Sequence, residues 1–122
     1  MPNKTILIVE DDEIILRSLY LTLHGEGFTI ATAEDGQTAY EMTERMTPDL
    51  ILLDLVLPKK NGFEYLREKQ SNKKIDKIPV VVLSNLSGEE NINRATDLGA
   101  IDYFVKSNTD LEVLVEKIRT II

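Results

Sequence analysis

Along this chain, short apolar runs alternate with longer stretches of helical periodicity, and the alternation occurs five times. The runs are Ile6-Leu7-Ile8-Val9, Phe28 to Ala33, Leu50-Ile51-Leu52-Leu53, Val80-Val81-Val82-Leu83 and Tyr103-Phe104-Val105. Continuous apolar runs of this kind predict strands covered on both faces, as in a parallel sheet. Strand and helix in strict alternation predict βα units.

The first helix is expected from about Asp12 to His24, with Ile15, Leu16, Leu19, Tyr20 and Leu23 on one face and Gly25 and Gly27 punctuating its end. The second runs from Gly36 to Met46 with Asp35 as its cap, and Thr47-Pro48 closes it because the residue before proline is pushed out of helical geometry. The third spans about Phe63 to Gln70 and dissolves into Ser71-Asn72-Lys73-Lys74; Pro79 opens the fourth strand. The fourth begins near Ser87 and ends before Gly99. The fifth is capped by Asn108 or Thr109, with Leu111, Leu114, Val115, Ile118 and Ile122 at helical spacing. The pattern contains no internal repeat beyond this alternation, no low-complexity tract, no linker and no room for an output domain within the 122 residues, which read as one domain over 1–122.

Composition narrows the function classes. A net charge of −7 opposes non-specific attraction to DNA or anionic lipid, so neither is an expected partner. That acidity reads either as a solubility device or as a divalent-cation site. The absence of cysteine excludes disulfides and thiolate chemistry and permits a cytoplasmic setting. Met1-Pro2-Asn3-Lys4 lacks the long apolar core of a signal peptide, and no apolar run reaches membrane-spanning length.

The candidate chemistry lies where the strands end. The first is followed by Glu10-Asp11-Asp12, the third by Asp54, the fourth by Ser84 and the fifth by Lys106. In a right-handed parallel sheet these ends share one rim, where open α/β folds bind ligands. Carboxylates gathered there repel one another unless a hard cation with oxygen ligands intervenes, and Mg²⁺ suits such a set. Asp11 and Asp12 admit a second reading, as caps that favour the dipole of the first helix. A carboxylate beside Mg²⁺ can attack phosphorus to give an aspartyl phosphate. Phosphoryl transfer asks mainly for position and charge neutralisation, which Lys106 and Ser84 would supply.

These motifs, Ile-Leu-Ile-Val-Glu-Asp-Asp-Glu at 6–13, Pro-Asp-Leu-Ile-Leu-Leu-Asp-Leu-Val-Leu-Pro at 48–58, Asn61-Gly62-Phe63, Pro79 to Ser84, Leu98-Gly99-Ala100 and Asp102 to Lys106, follow one another in an order that resembles the receiver domain of two-component response regulators, of the single-domain chemotaxis-regulator (CheY-like) type. The resemblance implies a flavodoxin-like (βα)5 doubly wound parallel sheet with strand order 2-1-3-4-5. It implies Asp54 as the phosphorylation site, and Mg²⁺ held by Asp11, Asp12, Asp54 and the backbone carbonyl of Val56. Ser84 becomes the switch hydroxyl, Lys106 the partner of the phosphoryl group and Tyr103 the aromatic switch. The donor would be a phosphohistidine on a sensor histidine kinase or phosphotransfer protein. The domain is then a cytoplasmic signalling switch rather than an enzyme in the ordinary sense, catalysing its own Mg²⁺-dependent phosphorylation and slow autodephosphorylation. Phosphorylation is expected to draw the loop after Ser84 inward, let Tyr103 rotate in and alter the face formed by the fourth helix, fifth strand and fifth helix.

Departures from the family pattern sharpen these expectations. Ser107 stands where the family carries proline, which favours a trans Lys106-Ser107 bond. Asn85 follows Ser84 where the family prefers a smaller residue. Val56 and Leu86, apolar at positions flanking the path of hydrolytic water, underlie the slow autodephosphorylation. Asp102, Lys117 and Arg119 belong to the charge set that pairs receivers of winged-helix transcription factors, but Ile92 and Val113 replace other charges, which favours a monomer. Ile14 and Leu21 lie opposite the core stripe of the first helix, the face that docks phosphodonor helices in the family. Lys59, Lys60, Lys73, Lys74 and Lys77 read as solvated loop lysines, and His24 as a helix-end residue.

Two other chemistries fit less well. A flavin module on this fold needs phosphate donors after the first strand, where Glu10-Asp11-Asp12 would repel the ligand. A haloacid-dehalogenase-type phosphatase needs a second acid two residues after its nucleophile, where Val56 stands. A degenerate receiver that only binds partners is disfavoured because every charged site position is filled.

Overall fold

A computed structural model describes residues 3–122; Met1 and Pro2, which belong to the expected absence of a signal peptide, lie outside the described residues. Five strands, β1 (Thr5–Val9), β2 (Thr29–Ala33), β3 (Leu50–Leu53), β4 (Val80–Ser84) and β5 (Asp102–Val105), form one parallel sheet in the order β2-β1-β3-β4-β5. The helices are α1 (Glu13–Gly25), α2 (Gly36–Met46), α3 (Gly62–Gln70), α4 (Glu89–Asp97) and α5 (Leu111–Ile121), with a short 3₁₀ turn over Lys106–Asn108.

Strand side chains alternate between faces, so the apolar runs divide into two cores. Leu7, Val9, Ile51, Leu53, Val80 and Val82 pack with Ala39 of α2, Tyr65 and Leu66 of α3 and Ala95 of α4. Ile6, Ile8, Leu50, Leu52, Val81 and Leu83 pack with Leu19 and Leu23 of α1 and Leu114, Val115 and Ile118 of α5. The three central strands are buried on both faces, which is why they read as unbroken apolar runs. Among the described residues no helix is long and apolar enough to cross a membrane.

Several boundaries differ from expectation for local reasons. α5 is capped by Asp110, whose carboxylate accepts from Glu112 N–H at 2.9 Å, not by Asn108 or Thr109. Those two residues belong instead to the 3₁₀ turn and its end, where the Thr109 hydroxyl donates to the Val105 carbonyl. α4 starts at Glu89, after Gly88 at φ 94°, rather than near Ser87. Thr47 closes α2 in left-handed geometry, consistent with the proline that follows. Tyr20 leaves the core stripe of α1 and stacks on His24 at a centroid separation of 5.6 Å. Lys60 is not a freely solvated loop lysine: its ammonium bonds Glu68 and lies 5.0 Å from the Tyr40 ring centroid.

Lys69 is the costly residue of the scaffold. Its side chain is buried, with the Asp76 carbonyl as a hydrogen-bond acceptor at 3.1 Å, and burial lowers its pKa to about 8. The unfolded chain therefore holds a proton that the folded chain releases between pH 8 and the ordinary lysine range, so stability rises with pH in that window. Tyr65, whose buried hydroxyl is raised above its ordinary value, opposes this above about pH 10. Lys69→Met is expected to stabilise the protein by about 1–2 kcal/mol at pH 7 and to flatten the rise between about pH 8 and 10. Urea denaturation across that range measures both; an unchanged slope refutes the assignment.

Candidate functional site

The parallel register decides which residues meet. Val9 pairs with Leu53 across β1 and β3, so the residue after each strand, Glu10 and Asp54, stand side by side. The backbone extends the match: Glu10 N–H donates to Ala33 O and Asp54 N–H to Val9 O, both at 3.0 Å. Ser84 ends β4 opposite Val105, and Lys106 follows β5. Four neighbouring strands thus deliver polar groups to one rim, at the point where strand order reverses between β1 and β3.

Lys106 Nζ sits 2.5 Å from Glu10 Oε1 and 2.8 Å from Asp54 Oδ2. Ser84 Oγ donates to Asp54 Oδ1 at 2.7 Å, and Val56 N–H donates to the same oxygen at 3.2 Å. Glu10, Asp54 and Ser84 are buried, and among the described residues no buried side-chain polar atom lacks a partner. Burial pushes the Glu10 carboxyl above its ordinary range; the Lys106 hydrogen bond opposes the rise and the Asp54 charge adds to it. Burial draws the Lys106 ammonium down, but its bonds to Asp54 and Glu10 outweigh that and leave it raised.

Carboxylate oxygens of Glu10, Asp11 and Asp54 lie within 4.8 Å of one another. One ammonium against three carboxylates leaves two negative charges unmatched, the deficit one divalent cation cancels. Oxygen-only donors of this kind suit Mg²⁺, whose opposed ligands lie about 4 Å apart at its usual bond length. The donor set fits the ion.

One residue expected at the cation site stands apart from the others. Asp12 does not join the cluster: its Oδ1 accepts from Ile14 N–H at 2.9 Å and Ile15 N–H at 3.1 Å, capping α1. Glu10 stands in the acidic cluster instead, and its only mark in the sequence is its place directly after a strand, as Asp54 and Lys106 also directly follow strands. Asp11, Asp54, Ser84 and Lys106 gather as expected. The Lys106-Ser107 bond is trans.

A hydrogen-bonded path leaves the site. Leu86 N–H donates to Ser84 Oγ at 3.3 Å, and Tyr103 Oη donates to Leu86 O at 2.7 Å. Tyr103 is half-buried, and burial, with the Asp54 charge, raises its hydroxyl pKa.

Comparison with known proteins agrees with this geometry. The family model of the response regulator receiver domain matches residues 6–119. Response regulator RR06 of Streptococcus pneumoniae is 38% identical over 117 residues, 96% of this chain and 52% of the relative. The chain spans about half the length, or less, of the curated relatives it matches. The BeF₃-activated receiver domain of Klebsiella pneumoniae RstA superposes with a TM-score of 0.89 at 30% identity, covering 97% of each chain. The receiver domain of the Pseudomonas aeruginosa sensor histidine kinase PA1611, solved with a magnesium ion coordinated in its active site cleft, has the same fold, with a TM-score of 0.89 at 23% identity over 98% of each chain. The chain belongs to the receiver domains of two-component response regulators, which are phosphorylated on aspartate by histidine kinases.

The opposed roles of Asp12 and Glu10 predict opposite stability effects in EDTA at pH 7. Asp12→Ala loses a cap and is expected to cost about 1 kcal/mol. Glu10, with its raised pKa, is harder to ionise folded than unfolded; stability is lost as pH rises through that folded value, so Glu10→Gln is expected to raise Tm by a few degrees. Calorimetric melting measures both, and a fall in Tm for Glu10→Gln contradicts the assignment.

Proposed function

We propose that Asp54 is the phosphoryl acceptor of this receiver domain, that Glu10, Asp11, Asp54 and the Val56 carbonyl hold Mg²⁺, and that Ser84 and Lys106 serve the transferred group. The observation that carries this is the pair of contacts from Ser84 and Lys106 to the two oxygens of Asp54 beside the acidic cluster. Bound Mg²⁺ supplies charge neutralisation at the phosphoryl oxygens. The Asp54 carboxylate attacks the phosphorus of a phosphohistidine; an O–P bond forms, the N–P bond breaks, and the imidazole leaves with its electron pair. Lys106 and Ser84, displaced from Asp54, turn to the new phosphoryl oxygens and neutralise charge that would otherwise repel Glu10 and Asp11.

Signalling follows as a population shift. A phosphoryl group that holds Ser84 also holds Leu86 and, through its carbonyl, Tyr103, favouring the closed path over an open one. The α4–β5–α5 face is then the surface a partner reads. Apolar Val56 and Leu86 beside the site support slow autodephosphorylation. Ile14 and Leu21, 82% and 62% exposed on α1, support that helix as the docking face for the phosphodonor. Lys117 pairs with Asp102 at 3.2 Å and Arg119 with Glu26 at 2.6 Å within the chain, which supports a monomer.

With acetyl phosphate and Mg²⁺, the wild type is expected to gain the mass of one phosphoryl group and lose it over minutes or longer once the donor is removed. Asp54→Asn, or EDTA, abolishes the gain; equal labelling of Asp54→Asn refutes the acceptor. Ile14→Ser with Leu21→Ser is expected to slow transfer from a phosphorylated kinase but not from acetyl phosphate, and slowing of both refutes the docking role.

A further inference from the structure

The segment that follows Asp54 is held in a strained form. Lys60 N–H donates to the Pro58 carbonyl at 2.8 Å across Lys59, which has φ 65°. This three-residue turn with positive φ is rare, and a residue bearing a side chain keeps it only where surrounding contacts over-determine it. Those contacts come from two sides. On one, Gly62 N–H donates to the Leu55 carbonyl at 2.9 Å, in a packing so close that a Cβ on Gly62 would stand 2.7 Å from the Asp54 carbonyl oxygen.

On the other side stands α2, which supplies nothing to the acidic cluster or to the hydrogen bonds of Asp54. Gly36, buried in its first turn, lies directly against the main chain of Lys60: a Cβ there would stand 1.9 Å from the Lys60 carbonyl oxygen and 2.7 Å from its carbonyl carbon. Both groups are backbone, so neither side can yield by a rotamer change. The same helix places Tyr40 beneath the Lys60 ammonium, and its cap Asp35 lies 3.9 Å from Lys59 Nζ. Between the two supports runs the stretch carrying Val56, whose N–H bonds Asp54 Oδ1.

We propose that Gly36 is a positioning residue for the acceptor site: lacking a side chain, it lets the Lys60 carbonyl seat on α2, and that contact holds the turn that keeps Val56 against Asp54. The proposal rests on the reading of Asp54 and Val56 as parts of the cation and phosphoryl site. It assigns α2, remote from the chemistry, a part in setting cation affinity. A packing role alone would alter stability and leave affinity where it was.

The test is calorimetric titration of Mg²⁺ into the full chain, with the Val56 amide resonance followed in the metal-free protein. Gly25, an exposed helical glycine with no atom within 4 Å of a built Cβ, provides the control. Gly25→Ala is expected to bind as the wild type does. Gly36→Ala is expected to bind about 10-fold more weakly, the scale on which residues supporting metal ligands act, and to shift the Val56 amide before metal is added. Tyr40→Leu, which removes the ring under Lys60 without a clash, is expected to weaken binding in the same direction to a smaller extent. A folded Gly36→Ala with wild-type affinity and an unmoved Val56 amide overturns the proposal, and should Gly36→Ala fail to fold, wild-type affinity in Tyr40→Leu does so. A wild type that does not bind Mg²⁺ overturns the acceptor-site reading as well, so the two failures are distinct.

Discussion

The Lys106 ammonium, in contact with Glu10 on one side and Asp54 on the other, is the interaction the site depends on. Two buried carboxylates side by side at neighbouring strand ends repel each other strongly where solvent screening is weak. A tethered cation makes that arrangement tenable and still leaves the rim negative. That residual charge gives the rim an electrostatic attraction for a divalent cation, which an already neutral rim would lack. Burial, with the Asp54 charge beside it, holds the Glu10 carboxyl above its ordinary range against the opposing hydrogen bond from Lys106.

Strand ends and main-chain hydrogen bonds place these charges. Asp54 and Glu10 are held by main-chain hydrogen bonds that continue the sheet ladder beyond the strands proper. Ser84 is the final residue of β4, and Lys106 reaches the cluster from the first position after β5. Positioning by rigid strand ends suits phosphoryl transfer, which needs charge in the right place more than it needs covalent assistance. In the loop after β4, Leu86 joins Ser84 to Tyr103 through two hydrogen bonds. The Ser84 hydroxyl on Asp54 at one end of that path and the half-buried Tyr103 of β5 at the other make a short hydrogen-bonded connection from the rim toward the surface.

Beyond β3, close backbone packing matters more than side-chain chemistry. Gly62 and Gly36 admit carbonyl groups at distances that any Cβ would forbid, and between them Lys59 is kept at positive φ. Lys60 pairs with Glu68 of α3 and covers Tyr40 of α2, so a lysine in a loop stitches two helices to the turn that follows Asp54.

By itself the sequence determined the five βα units, the two-sided burial of the central strands and the four strand ends that carry charge or hydroxyl, because strand runs and helix periods are local properties of the chain. From these Asp54, Ser84 and Lys106 could be placed on one rim before any coordinates. Only the tertiary structure decided which of Glu10, Asp11 and Asp12 face that rim, since three consecutive acids are equivalent until the register of β1 on β3 and the start of α1 are both set. Asp12 then finds the free N–H groups of Ile14 and Ile15, and Glu10 finds Lys106. The cap of α5, the bond of Tyr103 to the Leu86 carbonyl and the seating of Lys60 on α2 were illegible for the same reason: each depends on a partner brought close by packing, and spacing along a chain carries no record of distance across it.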